Sequence, residues 1–425
     1  MSEKKKSTHL IKQSASYGAA LVLGVGGMFV AAYSGLPALF SVSYSESALV
    51  ASSATTTLAE VHKEPSVVHI ATPRAVKGIY LSQCVAGTPS FRDKLVSFID
   101  DTELNTVIID IRDYTGKIAF PTENPALADA VSDACGASDM KSFIKKLHEK
   151  DIYVIGRITT FQNPYWSLLY PDQAVQKKGG GVWKDHKGLA FVDVGAKPYW
   201  DNVVELGKVS YEIGFDELNF DYLRYPSDGP MLEADYTWSN GKPKAVVLEE
   251  FYVYLTNALR PTGAVLSADL FGMVATNQDD LNIGQVLERA LPYFDYISPM
   301  VYPSHYPSGY NGYKNVNEHS YDIVKLAMDT ATARAVATST KIASFAYTPI
   351  ASTTPQIYKK PSYSPSKIRP WLQSFDYPIA YTPAMVEEQI KASNDAGLDS
   401  WLFWDAANKY TSLRQVLSSS AVPQL

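Results

Sequence analysis

The chain has 425 residues, 46% of them hydrophobic and 12% aromatic, which excludes wholesale disorder and allows a large buried core. Its formal net charge of −6 argues against a nucleic-acid partner, because phosphate binding draws on concentrated Lys and Arg. The only two cysteines, Cys84 and Cys135, lack CxxC spacing and exclude a zinc knuckle.

Basic character is concentrated at the N-terminus, where Lys4, Lys5, Lys6 and Lys12 stand against Glu3. A charge-free stretch follows from Gln13 to Ser45, with an apolar heart at 17–40. As a helix at 1.5 Å per residue it reaches about 36 Å, enough to cross a hydrocarbon core of ~30 Å with some tilt. Lysines on its N-terminal side predict a single-pass cell-membrane anchor, with residues 1–16 as a cytoplasmic tail and the remainder outside. Small residues near Ala48, Ala51 and Ala54 leave secretion after signal cleavage as the alternative. Residues 41–74, rich in Ser, Ala and Thr, read as a flexible linker.

From Val76 onward, short β-branched or aromatic runs alternate with stretches of helical apolar spacing. Strands are expected at Val76–Ser82, Thr106–Asp113, Ile152–Phe161, Glu217–Tyr225, Val265–Phe271, Tyr296–Tyr302, Pro370–Phe375 and Ser400–Asp405. Helices are expected at about 91–103, 140–150, 197–213, 245–259, 283–292, 321–336, 383–396 and 412–419. Gly214 and Gly397 follow two of them as left-handed caps. Runs such as Thr-Val-Ile-Ile-Asp-Ile are apolar throughout, as parallel strands covered on both faces should be. Eight β/α units without a phosphate-binding glycine loop favour an α/β fold of the (β/α)8 TIM-barrel type over residues 75–420.

In such a barrel the chemistry lies at the C-terminal strand ends. There the sequence offers Asp113, Arg157, Asp221, Arg224, Asp269, Tyr302, His305, Trp371, Gln373, Trp404 and Asp405. Carboxylates interleaved with aromatic rings fit glycoside hydrolysis, which uses two acids flanking one bond, with rings stacking on sugar faces. Asp221 and Asp269 come from neighbouring strands. Arg157 and Arg224 are expected to pair with a carboxylate. Rim salt bridges without catalysis are the bland reading of the same acids.

With these residues in view, positions 76–406 resemble a family of bacterial glycosyl hydrolase barrels related to the alpha-amylase-like and polygalactosaminidase-like groups. The carrying motifs include Val76-Lys77-Gly78-Ile79-Tyr80, Asp110-Ile111-Arg112-Asp113, Gly156-Arg157-Ile158, Gly214 through Pro226, Ser267 through Gly272, Tyr296 through Tyr306 and Arg369 through Gln373. The resemblance implies a (β/α)8 fold, hydrolase activity on a polysaccharide or envelope glycan, and an essential acid at Asp221. Many related barrels carry Glu on the fifth strand, where this chain has Asp269.

The roles expected are Asp221 as nucleophile or stabiliser of an oxocarbenium-like state, and Asp269 as general acid with a raised pKa. Asp113, Arg157, Arg224, Tyr302, His305, Gln373 and Asp405 would contact substrate, with Trp183, Trp371 and Trp404 as stacking surfaces. Loops at about 114–139, 162–196, 226–244 and 303–320 follow strands and would ring the cleft. The histidines form no HxH or HExxH pair, so no metal or cofactor is expected, although acidic strand ends are also the chemistry calcium takes. Cys84 and Cys135 fall in the first two β/α loops, where a rim disulfide and two buried thiols both remain open. A non-catalytic carbohydrate-binding barrel is the alternative function, and nothing in the sequence sets the oligomeric state.

Overall fold

The computed structural model describes residues 67–420. The expected tail and span at 1–16 and 17–40, and most of the 41–74 linker, lie outside them. Among the described residues no helix is long and apolar enough to cross a membrane.

Eight parallel strands close into a barrel in chain order: β1 (Lys77–Leu81), β2 (Thr106–Arg112), β3 (Tyr153–Thr159), β4 (Glu217–Asp221), β5 (Val265–Phe271), β6 (Tyr296–Met300), β7 (Trp371–Gln373) and β8 (Trp401–Trp404). The closing seam pairs Lys77 with Trp401. The main helix after each strand is α1 (Pro89–Asp100), α2 (Met140–His148), α3 (Lys197–Ile213), α4 (Lys244–Leu259), α5 (Leu287–Ala290), α6 (Ser320–Val336), α7 (Pro383–Asp395) and α8 (Thr411–Ser420).

Local chemistry accounts for the boundaries. Pro occupies the first turn of α1, α3 and α7, where a missing N–H costs nothing, and Thr382 caps α7 by accepting from the Met385 N–H. α3 ends at Gly214, whose φ of +122° disfavours a side chain. The helix expected at 283–292 shrinks to the four residues of α5. Leu281, Asn282 and Gly284 adopt positive φ ahead of it and Pro292 follows, so no helical run can extend either way.

Strand alternation sorts the side chains. Ile109, Ile111, Val154, Leu218, Phe220, Leu266, Ala268 and Leu270 join the core between barrel and helices. Their neighbours in sequence face inward, so β4 directs Glu217, Asn219 and Asp221 into the barrel and β5 directs Ser267 and Asp269. At the bottom Arg369 meets both oxygens of Glu217 at 3.0 and 3.1 Å, and Tyr153 donates to Glu217 at 3.2 Å. That buried pair closes the N-terminal end, leaving the other end for the site.

Cys84 and Cys135 form a disulfide joining the first two β/α connections. Beside it Gly87 lies against Gly136, where a Cβ would sit 2.1 Å from the Gly136 oxygen. The bridge therefore braces a contact that only a glycine can make.

Candidate active site

At the C-terminal end of the barrel a cavity of about 320 Å³ is lined by Arg157, Asp221, Tyr222, Arg224, Asp269, Tyr302, His305, Trp371 and Trp404, with apolar walls from Phe271, Met273, Met300 and Tyr306. Its size falls within the ~300–1,000 Å³ of small-molecule sites. Phe220 pairs in register with Ala268, so Asp221 and Asp269 are the next residues along adjacent strands.

Arg157 organises the acids. Its Nη1 donates to Asp110 Oδ1 at 2.6 Å, while Nε and Nη2 both donate to Asp221 Oδ2, at 3.1 and 2.5 Å. Burial would lower the guanidinium pKa, but Asp221 and Asp110 outweigh it and hold the group charged. Asp221 Oδ1 accepts the backbone N–H of Tyr222 at 2.5 Å, and Tyr222 itself has φ of +51°. Burial pushes Asp110 up to about 6, against the opposing pull of Arg157 and of the Tyr80 hydroxyl that donates to it.

Asp269 is held differently. Asn219 Nδ2 and Trp371 Nε1 both donate to Oδ1, at 2.9 and 2.8 Å. Among the described residues no donor meets Oδ2. Burial, then the adjacent Asp221 charge, drives this carboxyl well above the usual range. One acid is thus ion-paired, while burial and that neighbouring charge favour the protonated form of the other.

The surroundings are aromatic. Trp404 stacks on Tyr80 at 3.9 Å between centroids, with the Arg157 guanidinium 4.9 Å from the Trp404 ring. Burial, with Asp269 and Asp221 nearby, raises the Tyr302 phenol well above its ordinary value and keeps it neutral. His305 is lowered by burial and by Lys187, and packs edge-on to Tyr302 and Phe375.

Several expected site residues have other occupations. Trp183 is fully buried among Val175, Phe191 and Ala234, its Nε1–H donating to the Pro230 carbonyl at 3.0 Å, so it offers no stacking face. Trp371 lines the cavity but is 1% exposed and acts through its indole N–H, which leaves Trp404 as the partly exposed ring. Asp113 accepts from Gln83 and from the backbone and hydroxyl of Thr115, folding its own loop. Asp405 accepts the backbone N–H groups of Ala407, Lys409 and Tyr410. Gln373 ties two loops by donating to the Phe375 carbonyl and accepting from the Ser304 N–H. Among the described residues Arg224 reaches no carboxylate at ion-pair distance, contrary to expectation; its Nη1 donates to Tyr225 O and Ser227 Oγ, and Asp221 acts on it only from farther off. Of the four loops expected to ring the cleft, 303–320 supplies lining residues, His305 and Tyr306; the others supply none.

Tyr80, Asp110 and Asn219 lie in the motifs read from the sequence but are given no role there. Asn219 was within reach, two positions before Asp221 on one strand and therefore on the same face. Among the described residues no group of three or more His, Cys, Asp or Glu is arranged to hold a metal ion.

Residues 78–410 match the family model described as "Putative glycosyl hydrolase domain". The chain belongs to that family. No curated protein matches it. Among solved structures it is similar to the glycoside hydrolase domain of PgaB (BpsB) from Bordetella bronchiseptica, with 13% identity and a TM-score of 0.53 over 81% of this chain and 98% of that one. Alpha-L-fucosidase isoenzyme 2 from Paenibacillus thiaminolyticus aligns with 10% identity and a TM-score of 0.53, over 81% of this chain and 49% of that one. A hypothetical protein from Ruminiclostridium thermocellum ATCC 27405 shares 31% identity over 45% of this chain and 96% of its own, with a TM-score of 0.41. The likeness to the first two is one of fold. The family match makes this a glycosyl-hydrolase barrel, and its inner acids lie where that fold carries chemistry.

Proposed function

We propose that this protein is a membrane-anchored glycoside hydrolase acting outside the cytoplasm on a polysaccharide or envelope glycan. The observation that carries the reading is the pairing, at one cavity, of ion-paired Asp221 with Asp269, whose pKa is raised. Asp269 donates its proton to the glycosidic oxygen as the C–O bond breaks, and the leaving sugar departs as a neutral alcohol. Asp221 attacks the anomeric carbon, forming a glycosyl ester. Water, deprotonated by Asp269, then displaces Asp221, which restores both acids and releases the sugar.

The register supports a retaining outcome within this reading. Asp221 and Asp269 each follow a paired position on adjacent strands, whose backbones run about 4.8 Å apart, a spacing closer to the ~5–5.5 Å carboxyl separation of retaining enzymes than to the wider inverting gap. Trp404 supplies the stacking face, while Tyr302 and His305 meet hydroxyl groups.

The anchor at 17–40 is supported by its apolar length and flanking lysines, with 41–74 as tether and 75–420 as the catalytic domain. The Cys84–Cys135 bridge suits an oxidising compartment. Cleavage after the apolar segment would give a secreted form of the same enzyme.

Reducing-sugar release from a panel of polysaccharides tests the reading. Release by the wild type that Asp221→Asn abolishes at unchanged melting temperature supports it. Binding without turnover in a glycan array would reassign the protein as a carbohydrate-binding barrel.

A further inference from the structure

Buried arginines among the described residues are mostly neutralised by carboxylates: Arg157 by Asp110 and Asp221, Arg369 by Glu217 and Arg92 by Asp139. Two are not. Arg112 is enclosed away from the cavity, donating to Thr159 O and Asn202 Oδ1. Arg224 is also buried, at 7% exposed, yet it lines the cavity. Its guanidinium carbon lies 4.7 Å from the Tyr222 ring centre and 4.6 Å from that of Phe271. Among the described residues no carboxylate lies within ion-pair distance of it.

A buried cation without a counter-charge is costly, and one facing a binding cavity is relieved when the ligand supplies the anion. With Nη1 engaged by Tyr225 O and Ser227 Oγ, the other guanidinium nitrogens keep donors that can meet a carboxylate side-on. A second feature agrees. The loop 177–187, which lines none of the cavity, carries four lysines against one aspartate in a chain that is acidic as a whole, and its Lys187 comes near enough to act electrostatically on His305 in the cavity wall. Asp221 and Asp228 act on Arg224 only from beyond ion-pair distance, and Asp221 is already engaged by Arg157.

We infer that the cavity takes an acidic glycan and that Arg224 binds the ring carboxylate of a uronic-acid-type residue next to the scissile bond. The inference rests on the glycosidase reading of the cavity and adds the class of sugar to it. The loop lysines draw the polyanion toward the mouth, and Arg224 fixes one ring by a charge-assisted contact screened from water by Tyr222 and Phe271. A neutral glycan of the same shape leaves the guanidinium uncompensated and binds less well.

The test is calorimetric binding to the full chain carrying Asp269→Asn, which slows turnover of natural glycans by about 10²–10⁴-fold. The probes are oligosaccharides of polygalacturonate, alginate and hyaluronan, each beside its carboxyl-reduced neutral counterpart. The expected result is that at least one acid binds about tenfold or more tightly than its reduced form. That ratio falls to about one on adding Arg224→Met and recovers in part with Arg224→Lys, while both variants keep the melting temperature within a few degrees of the parent. No preference for any acid, or a preference that survives Arg224→Met, overturns the inference. Because binding is read, the two claims separate. A protein that shows the Arg224-dependent preference but whose wild type never releases reducing ends loses the hydrolase reading alone. Turnover of neutral glycans without that preference loses the acidic-glycan inference alone.

Discussion

Replacing Asp269 with Asn removes the proton that the mechanism needs while sparing the structure around it. The amide oxygen still accepts from Asn219 Nδ2 and Trp371 Nε1, which both bond Oδ1 of the native acid at 2.9 and 2.8 Å. General acid catalysis contributes typically ~10²–10⁴-fold, so kcat on a natural glycan should fall by that factor, about 3–5.5 kcal/mol of barrier. The loss should depend on the leaving group. A dinitrophenyl glycoside leaves without needing a proton, and its cleavage by Asp269→Asn should fall far less than that of the alkyl glycoside. Burial and the Asp221 charge raise the Asp269 pKa, so wild-type kcat/KM should decline on the alkaline side as this proton is lost, and the variant should lack that limb.

Stability supplies a control with the opposite sign. Asp269 is protonated more readily folded than unfolded, so its contribution is fully present below the unfolded value of about 3.9 and is lost as pH rises towards the raised folded value. The Asn variant should therefore gain in Tm on the wild type as pH increases through that window. Equal losses on both leaving groups, or an alkaline limb that survives the substitution, would refute the assignment.

Trp371→Phe deletes the indole donor that favours ionised Asp269, so the alkaline limb should move to higher pH with the acid limb unmoved. Arg157→Met leaves Asp110 and Asp221 buried without their cation, and urea unfolding should show a loss of about 3–5 kcal/mol together with loss of turnover. Cys84→Ala with Cys135→Ala opens a bridge between residues 51 apart, and chain entropy predicts a loss of roughly 4 kcal/mol, read as a lower denaturation midpoint that added reductant does not lower further. Proton NMR of the first-formed product should show the substrate's anomeric configuration, and an inverted product would refute the assignment of Asp221 as nucleophile.

The barrel was legible because parallel strands covered on both faces leave continuous apolar runs, and all eight recur in the structure within a few residues of expectation. Asp221 and Asp269 were legible for a related reason, since an acid ending an otherwise apolar strand has to serve a partner or a ligand. Asp113 and Asp405 misled because the same residue type begins a turn, accepting nearby backbone N–H groups, and a single sequence does not separate the two uses. Trp183 sits among glycines and lysines in a loop without period, so nothing local signalled that residues from two loop segments enclose it. The neutralising geometry around Arg157 depends on three strands meeting in register, which becomes readable only after the barrel closes. The positive φ of Tyr222, which turns its N–H onto Asp221, has no sequence signal at all.

A crystal structure of Asp269→Asn soaked with an oligosaccharide that the wild type cleaves would test the central claim most directly. The account predicts a glycosidic oxygen within ~3 Å of the amide at position 269, with the anomeric carbon facing Asp221 from the opposite side. A sugar seated outside the cavity, or one presenting neither its glycosidic oxygen to position 269 nor its anomeric carbon to Asp221, would contradict it.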